Sequence, residues 1–310
     1  MYIGVQTGGI IGHANIEEGY RMIREAGFEA IDWNIDTALP RNILLSSNEL
    51  SGICIFEKEI DEILEHYARE LKAIRDNGLV ISQAHAPFPP HVSGRPEVLD
   101  YCIKIYCRCI ELCHAVGCKN LIIHGISHDP NGIETVEEVK ALNYRLYEGL
   151  IATLVKTDVT VCLENLPVQS KVTGTFSELL AGVCSNPSEA VEYIDTLNKK
   201  ANKECFGLCL DTGHLHLCRM RFGDYVPLLN NRIKALHVHD NMGIFDSHKA
   251  PYTGSISWND FTKEMRALGY TGDICFETFR QVTPLPDKLV PSFLKMIFET
   301  GNYFRDVICE

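Results

Sequence analysis

No apolar run in this chain approaches the roughly 18 residues that cross a bilayer, which excludes a transmembrane helix. The opening MYIGVQTGG has no basic segment followed by an apolar one, so a secretory signal is not expected and the segment reads as a strand. Basic charge is also short. Lys and Arg number 29 against 41 Asp and Glu, a net charge of −12, so the chain lacks a general attraction for nucleic acid, and no nucleic-acid or membrane partner is expected. CxxC spacing is missing from the cluster Cys102, Cys107, Cys109, Cys113 and Cys118, although cysteines total 13. In YCIKIYCRCIELCHAVG, Cys102, Cys109 and Cys113 share one helical face, where cysteine acts as a small buried hydrophobe. Without signs of secretion, reduced thiols in a cytoplasmic protein are expected. Linkers, low-complexity tracts and long repeats are absent, so residues 1–310 read as one domain.

What is present is alternation. Short apolar runs, each followed by a helix-period segment, begin at Tyr2, Glu29, Leu79, Asn120, Val159, Cys205, Ile233 and Asp273. Gly27, Gly78, Gly117 and Gly269 follow helical stretches and suit the left-handed C-cap position. Eight strand–helix units in series imply parallel pairing through right-handed crossovers, and eight close a (β/α)8 TIM barrel. A doubly wound sheet is the alternative. Three long connections, Asn34–Phe56, Asn165–Asn186 and Asp240–Ile256, would overhang the C-terminal mouth of that barrel.

Polar residues fall where the runs end: His85, His124, Glu164, Asp211, His237 and Glu277, with Asp246 and His248 close behind in the seventh connection. A barrel brings such strand ends to one place. Carboxylates mixed with imidazoles suit Mn, Co, Zn or Fe better than Ca, so a divalent metal (Mn, Co, Zn or Mg) is the expected cofactor. The bland alternatives are helix caps for the carboxylates, core or loop hydrogen bonding for the histidines, and a surface turn for Asp246 and His248. His239 competes with His237 for the ligand role. Gly8 and Gly9 suggest close backbone approach to a ligand or a plain turn, and Asn165 is a candidate to orient Glu164.

The segments LEN, LDTGH, ALHVHD and FET resemble the metal-binding signatures of the xylose isomerase-like barrel superfamily. HDNMGIFDSHKAPYTGSISW is similar to the HDNxGxxDxHxxPxxGxIxW stretch of its sugar phosphate isomerase/epimerase members. The resemblance implies that Glu164, Asp211, His237 and Glu277 hold the metal. It implies that Glu164 and Glu277 serve as acid and base beside a metal-polarised carbonyl, and that His214 contacts substrate oxygens. It also covers an endonuclease branch with nine ligands for three zinc ions. Matching residue types stand here at His85, His124, Glu164, Asp211, His214, His237, Asp246, His248 and Glu277. For insertion into DNA only Trp33, Arg41 and Phe88 offer themselves. Ketose 3-epimerases carry an arginine after the seventh strand where this chain has DNMG. Arg41, Lys171, Arg219, Arg221, Lys249 and Arg280 are all candidates to meet a substrate phosphate. The expected function is a metal-dependent isomerase or epimerase of a sugar, sugar phosphate or polyol-derived ketone, with a homo-oligomer as a candidate assembly. A trinuclear zinc phosphodiesterase on abasic DNA and a related sugar lyase or dehydratase are the alternatives.

Overall fold

A computed structural model of the chain describes residues 1–35, 39–47, 49–171 and 177–310. The side chains of Arg41 and Lys171, two of the phosphate candidates, lie outside what is described. In chain order the strands are β1 Ile3–Gln6, β2 Ala30–Asn34, β3 Val80–His85, β4 Asn120–Ile122, β5 Thr160–Glu164, β6 Pro167–Lys171, β7 Ser177–Ala181, β8 Phe206–Asp211, β9 Ile233–His237 and β10 Ile274–Phe276. Eight of them form one parallel sheet in the order β10–β1–β2–β3–β4–β5–β8–β9. The ring closes where Val238 pairs with Phe276: Val238 N donates to Cys275 O at 2.9 Å and Glu277 N to Val238 O at 3.1 Å. This is the expected TIM barrel, with each strand run where the alternation placed it.

Helices cover the outside of the sheet, so the strands are apolar on that face. The main core lies between sheet and helices, while Ile122, Cys162, Cys209 and Ala235 form a separate small cluster on the inner face. The last helix, Val290–Cys309, crosses β1 and β10 at Gly301, where a Cβ would stand 2.4 Å from Ile3 Cγ2. The four cap glycines all take positive φ, from 62° to 114°. Cys102, Cys109 and Cys113 are buried on one face of the helix Pro96–Val116, and none of the 13 cysteines is in a disulfide. Among the described residues no helix is long and apolar enough to cross a membrane.

Two local features depart from plain strand–helix alternation. The connection after β5 is not a plain loop: β6 and β7 pair as an antiparallel hairpin from Pro167↔Ala181 to Lys171↔Ser177. The helical run before β3 is broken at Tyr67, between helices Ile60–His66 and Ala68–Asp76. The Tyr67 ring there packs edge-on to Trp33, with centroids 5.0 Å apart. Trp33 is fully buried in this contact and belongs to the core, so it is not available to a ligand.

Candidate metal centre

The strand ends converge as the fold requires. Glu164 closes β5, Asp211 closes β8, His237 closes β9 and Glu277 follows β10, and one ligand atom from each lies within 4.8 Å of the others. His237 Nδ1 stands 2.8 Å from Glu164 Oε1, 3.5 Å from Glu277 Oε2 and 3.9 Å from Asp211 Oδ2. A second group adds His85 and His124 to Glu164, and a third unites His214, His239, Asp246 and His248. All nine residues read from the sequence therefore meet at one mouth, in three groups that adjoin one another. Glu164 belongs to the first two.

The local reasons are legible. Asp211 is the last residue of β8 and also caps the short helix Thr212–Leu217, accepting His214 N at 2.6 Å; this turns His214 back over the site. His85 Nδ1 faces Ala86 O at 2.8 Å, so its proton belongs there and the Nε2 lone pair points at His124 Nε2, 2.9 Å away. Asp246 and His248 stand on a loop built around Asp240. That carboxylate accepts Asn241 N, Ile256 N, Gly254 N and Trp258 Nε1, all within 3.1 Å. Gly254 is required there, because a Cβ would lie 2.2 Å from Asp240 Oδ1. The Asp, Asn, Gly and Trp of the HDNMGIFDSHKAPYTGSISW stretch are thus largely scaffold. They present Asp246 and His248, whose side chains meet at 2.6 Å.

Charge is balanced by protonated imidazole. Burial alone would raise Glu164, but His237 and His124 outweigh it and hold the carboxyl well below its usual range. Burial would likewise lower His214 and His237. Asp211 and Asp246 face the first, Cys209, Glu277 and Glu164 the second, and both imidazoles are raised well above the ordinary value. Burial does win at Glu277, pushed up to about 7, and at His85, pushed down to about 3. Such protons are what a cation displaces on binding. The residues fit a divalent metal on two further observations. Asp246 Oδ1 is a buried atom without a hydrogen bond, and the donors are carboxylates and imidazoles, with Glu164 Oε2 2.8 Å from His124 Nε2.

Some contacts were not read from the sequence. Gln6 Nε2 donates to Glu277 Oε1 at 2.8 Å. Asp32 Oδ2 lies 3.0 Å from His237 Nε2, off the straight hydrogen-bond line, and also accepts Gln83 Nε2 at 3.0 Å. A polar residue inside each of the runs YIGVQT and AIDWN was the available signal. Asn165 does not orient the Glu164 carboxylate. Its amide pairs with Asp211 N and O, at 2.8 and 2.9 Å, and its carbonyl meets His214 Nδ1 at 3.1 Å. Gly9, at φ 75°, sits in a turn against Phe279 and Thr283, whereas Gly8 lines the pocket.

Above the ligands lies a pocket of about 480 Å³ walled by Phe88 and Phe279. Of the basic side chains described, histidines apart, only Arg280 lines it. Arg221 is instead paired with Asp224 at 2.8 Å.

Comparison with known proteins agrees with this architecture. An uncharacterized protein, y4fM, of Sinorhizobium fredii is 24% identical over 277 residues, 84% of this chain and 82% of that one. A probable endonuclease 4 of Staphylococcus carnosus is 27% identical over 191 residues, 57% of this chain and 58% of that protein. Among solved structures, a D-tagatose 3-epimerase-like protein superposes with a TM-score of 0.64 at 21% identity, covering 98% of this chain and 99% of its own. IOLI protein, solved with a bound zinc atom, gives 0.69 at 16% identity, covering 99% and 98%. A family described as xylose isomerase-like TIM barrel matches residues 20–296, and the chain belongs to that family.

Proposed function

We propose that the chain is a divalent-metal-dependent isomerase or epimerase of a small sugar, sugar phosphate or related ketone. The observation that carries this reading is the placement of two buried carboxylates, Glu164 and Glu277, against the same His237 nitrogen beneath a small pocket. Moving a proton at a carbon beside a carbonyl needs a base on one side and an acid on the other. Glu164 is held ionised and suits proton removal. Glu277, anchored by Gln6 and facing the same His237 nitrogen, suits the return of a proton from the other side. A metal held by Glu164, Asp211, His237 and Glu277 would polarise the carbonyl. His214 is placed to hold a substrate oxygen, and Phe88 and Phe279 offer apolar faces to sugar C–H groups. Arg280 at the rim supports a phosphate or carboxylate on the substrate. The fold shared with a D-tagatose 3-epimerase-like protein supports a sugar. The test is solvent-deuterium exchange into a panel of ketoses and sugar phosphates. Exchange by the native chain and none by Glu164→Gln or Glu277→Gln is expected; exchange retained in both variants overturns the reading.

A second reading is favoured by a specific observation. His85 and His124 on one side, and His214, Asp246 and His248 on the other, extend the four-residue set into adjoining groups. Several metals side by side suit hydrolysis of a phosphodiester, and probable endonuclease 4 proteins are among the relatives in sequence. Three zinc ions per chain, with cleavage of an abasic duplex at low salt, would establish it. No cleavage under those conditions with added zinc would remove it.

A further inference from the structure

His239 shares a group with His214, Asp246 and His248, yet neither reaction just described gives it a role. It is fully buried, two residues beyond His237, and lies between the inner ligands and the loop-borne ones. Its Nε2 hydrogen-bonds Asp211 Oδ2 at 3.0 Å. Its ring stacks on His248, with centroids 4.1 Å apart and planes at 18°. The Thr212 hydroxyl clamps its backbone twice, accepting His239 N at 3.0 Å and donating to His239 O at 2.8 Å. Gly213 makes room for the ring: a Cβ there would stand 2.0 Å from His239 Cε1.

A buried histidine serving only to fill space would be replaced with advantage by an apolar ring, because His239 Nδ1 is buried with no partner. The desolvation cost is retained together with one well-aligned bond, the bond to Asp211. The other Asp211 oxygen is already fixed by His214 N, so His239 completes the orientation of that carboxylate. Hydrogen bonds of this kind to a metal-binding carboxylate set its direction and basicity.

We propose that His239 is a positioning residue of the metal centre, holding Asp211 in its metal-facing orientation, with Gly213 supplying the space its ring needs. This rests on the metal-centre part of the functional reading and on neither reaction class. Two variants test it by zinc affinity, measured by chelator competition, and by thermal unfolding of the metal-free chain. His239→Phe keeps a planar aromatic ring against His248 but removes the donor. Affinity is expected to fall about 10- to 100-fold with the metal-free unfolding temperature held or raised. Gly213→Ala displaces the ring without altering it and is expected to lower affinity in the same direction. Unchanged affinity in His239→Phe overturns the proposal while leaving the metal centre in place. A native chain that takes up no zinc overturns both.

Discussion

The inner and outer groups of candidate ligands differ in what carries them. Glu164, Asp211, His237 and Glu277 end or directly follow strands of the barrel sheet, and all are buried. Asp246 and His248 stand on an irregular loop. His248 takes φ 42°, a left-handed setting that costs a non-glycine residue about 1–2 kcal/mol, and the Asp246 side chain keeps 26% of its exposure. A strand end is fixed by the whole barrel. A loop end is fixed by whatever holds the loop, which here is the Asp240 carboxylate. Rigid delivery suits the groups that would do the chemistry, whereas the loop-borne pair is free to be specialised from one barrel to the next.

The largest expected effect falls where the groups meet. Glu164→Gln removes an inner ligand, the partner of His85 and His124, and the proposed base in one change. Turnover should fall by about 10²–10⁴-fold, the usual worth of a positioned acid or base, with the circular dichroism spectrum intact. An activity loss under tenfold would show that the inner group does not carry the reaction.

The next effect separates scaffold from site. Asp240→Ala leaves Asn241 N, Gly254 N, Ile256 N and Trp258 Nε1 without their acceptor. Roughly 1–3 kcal/mol for a buried donor left unpaired sets the scale of lost stability, seen as a lower denaturant midpoint. Zinc bound by the outer group should be lost, with the inner group retained. Equal loss from both would mean that the two are not independently supported.

Metal removal asks how much the barrel depends on its centre. Asp32, Glu164, Asp211 and Glu277 lie within one buried region, balanced in the metal-free chain by imidazoles. A cation at 100 times its dissociation constant adds about 2.7 kcal/mol to stability, so chelator should lower the unfolding temperature and zinc restore it. No shift in either direction would leave the centre without an energetic role.

Most of this was written in the sequence, because a strand delivering a ligand leaves a local mark: an apolar run with a polar end. The nine residues and the four cap glycines carry that mark or one as local. Other features do not. The β6–β7 hairpin is held by neighbouring backbone, so PVQSK and SELLA show no apolar alternation of the kind burial imposes. The break at Tyr67 contains no glycine or proline; it coincides with a ring turned toward Trp33, which only the folded chain brings close. Asp32 meets His237 from across the barrel, and nothing near Asp32 in sequence names that partner. The roles of Asp240 and Asn165 were hidden differently. Asn165 reads as orienting Glu164 and Asp240 only as the start of a long connection, but the partners of both are largely backbone groups of the rim.

The smallest effect is the sharpest test of the comparison. His248→Ala removes one loop-borne ligand and the ring that stacks on His239, yet touches no strand. Its Nδ1 faces Glu277 O at 3.1 Å in a buried contact, and both residues line the pocket, so a water entering the space the ring leaves can replace that bond at little cost. If the inner group alone performs proton transfer, deuterium exchange should fall by less than about tenfold, or 1.4 kcal/mol. If adjoining metals act together on a phosphodiester, the same change should remove hydrolysis almost entirely, since the attacking and leaving oxygens would no longer be held by a complete set. One substitution therefore reads out which of the two groups is chemistry and which is support, and the division between strand-borne and loop-borne ligands stands or falls with it.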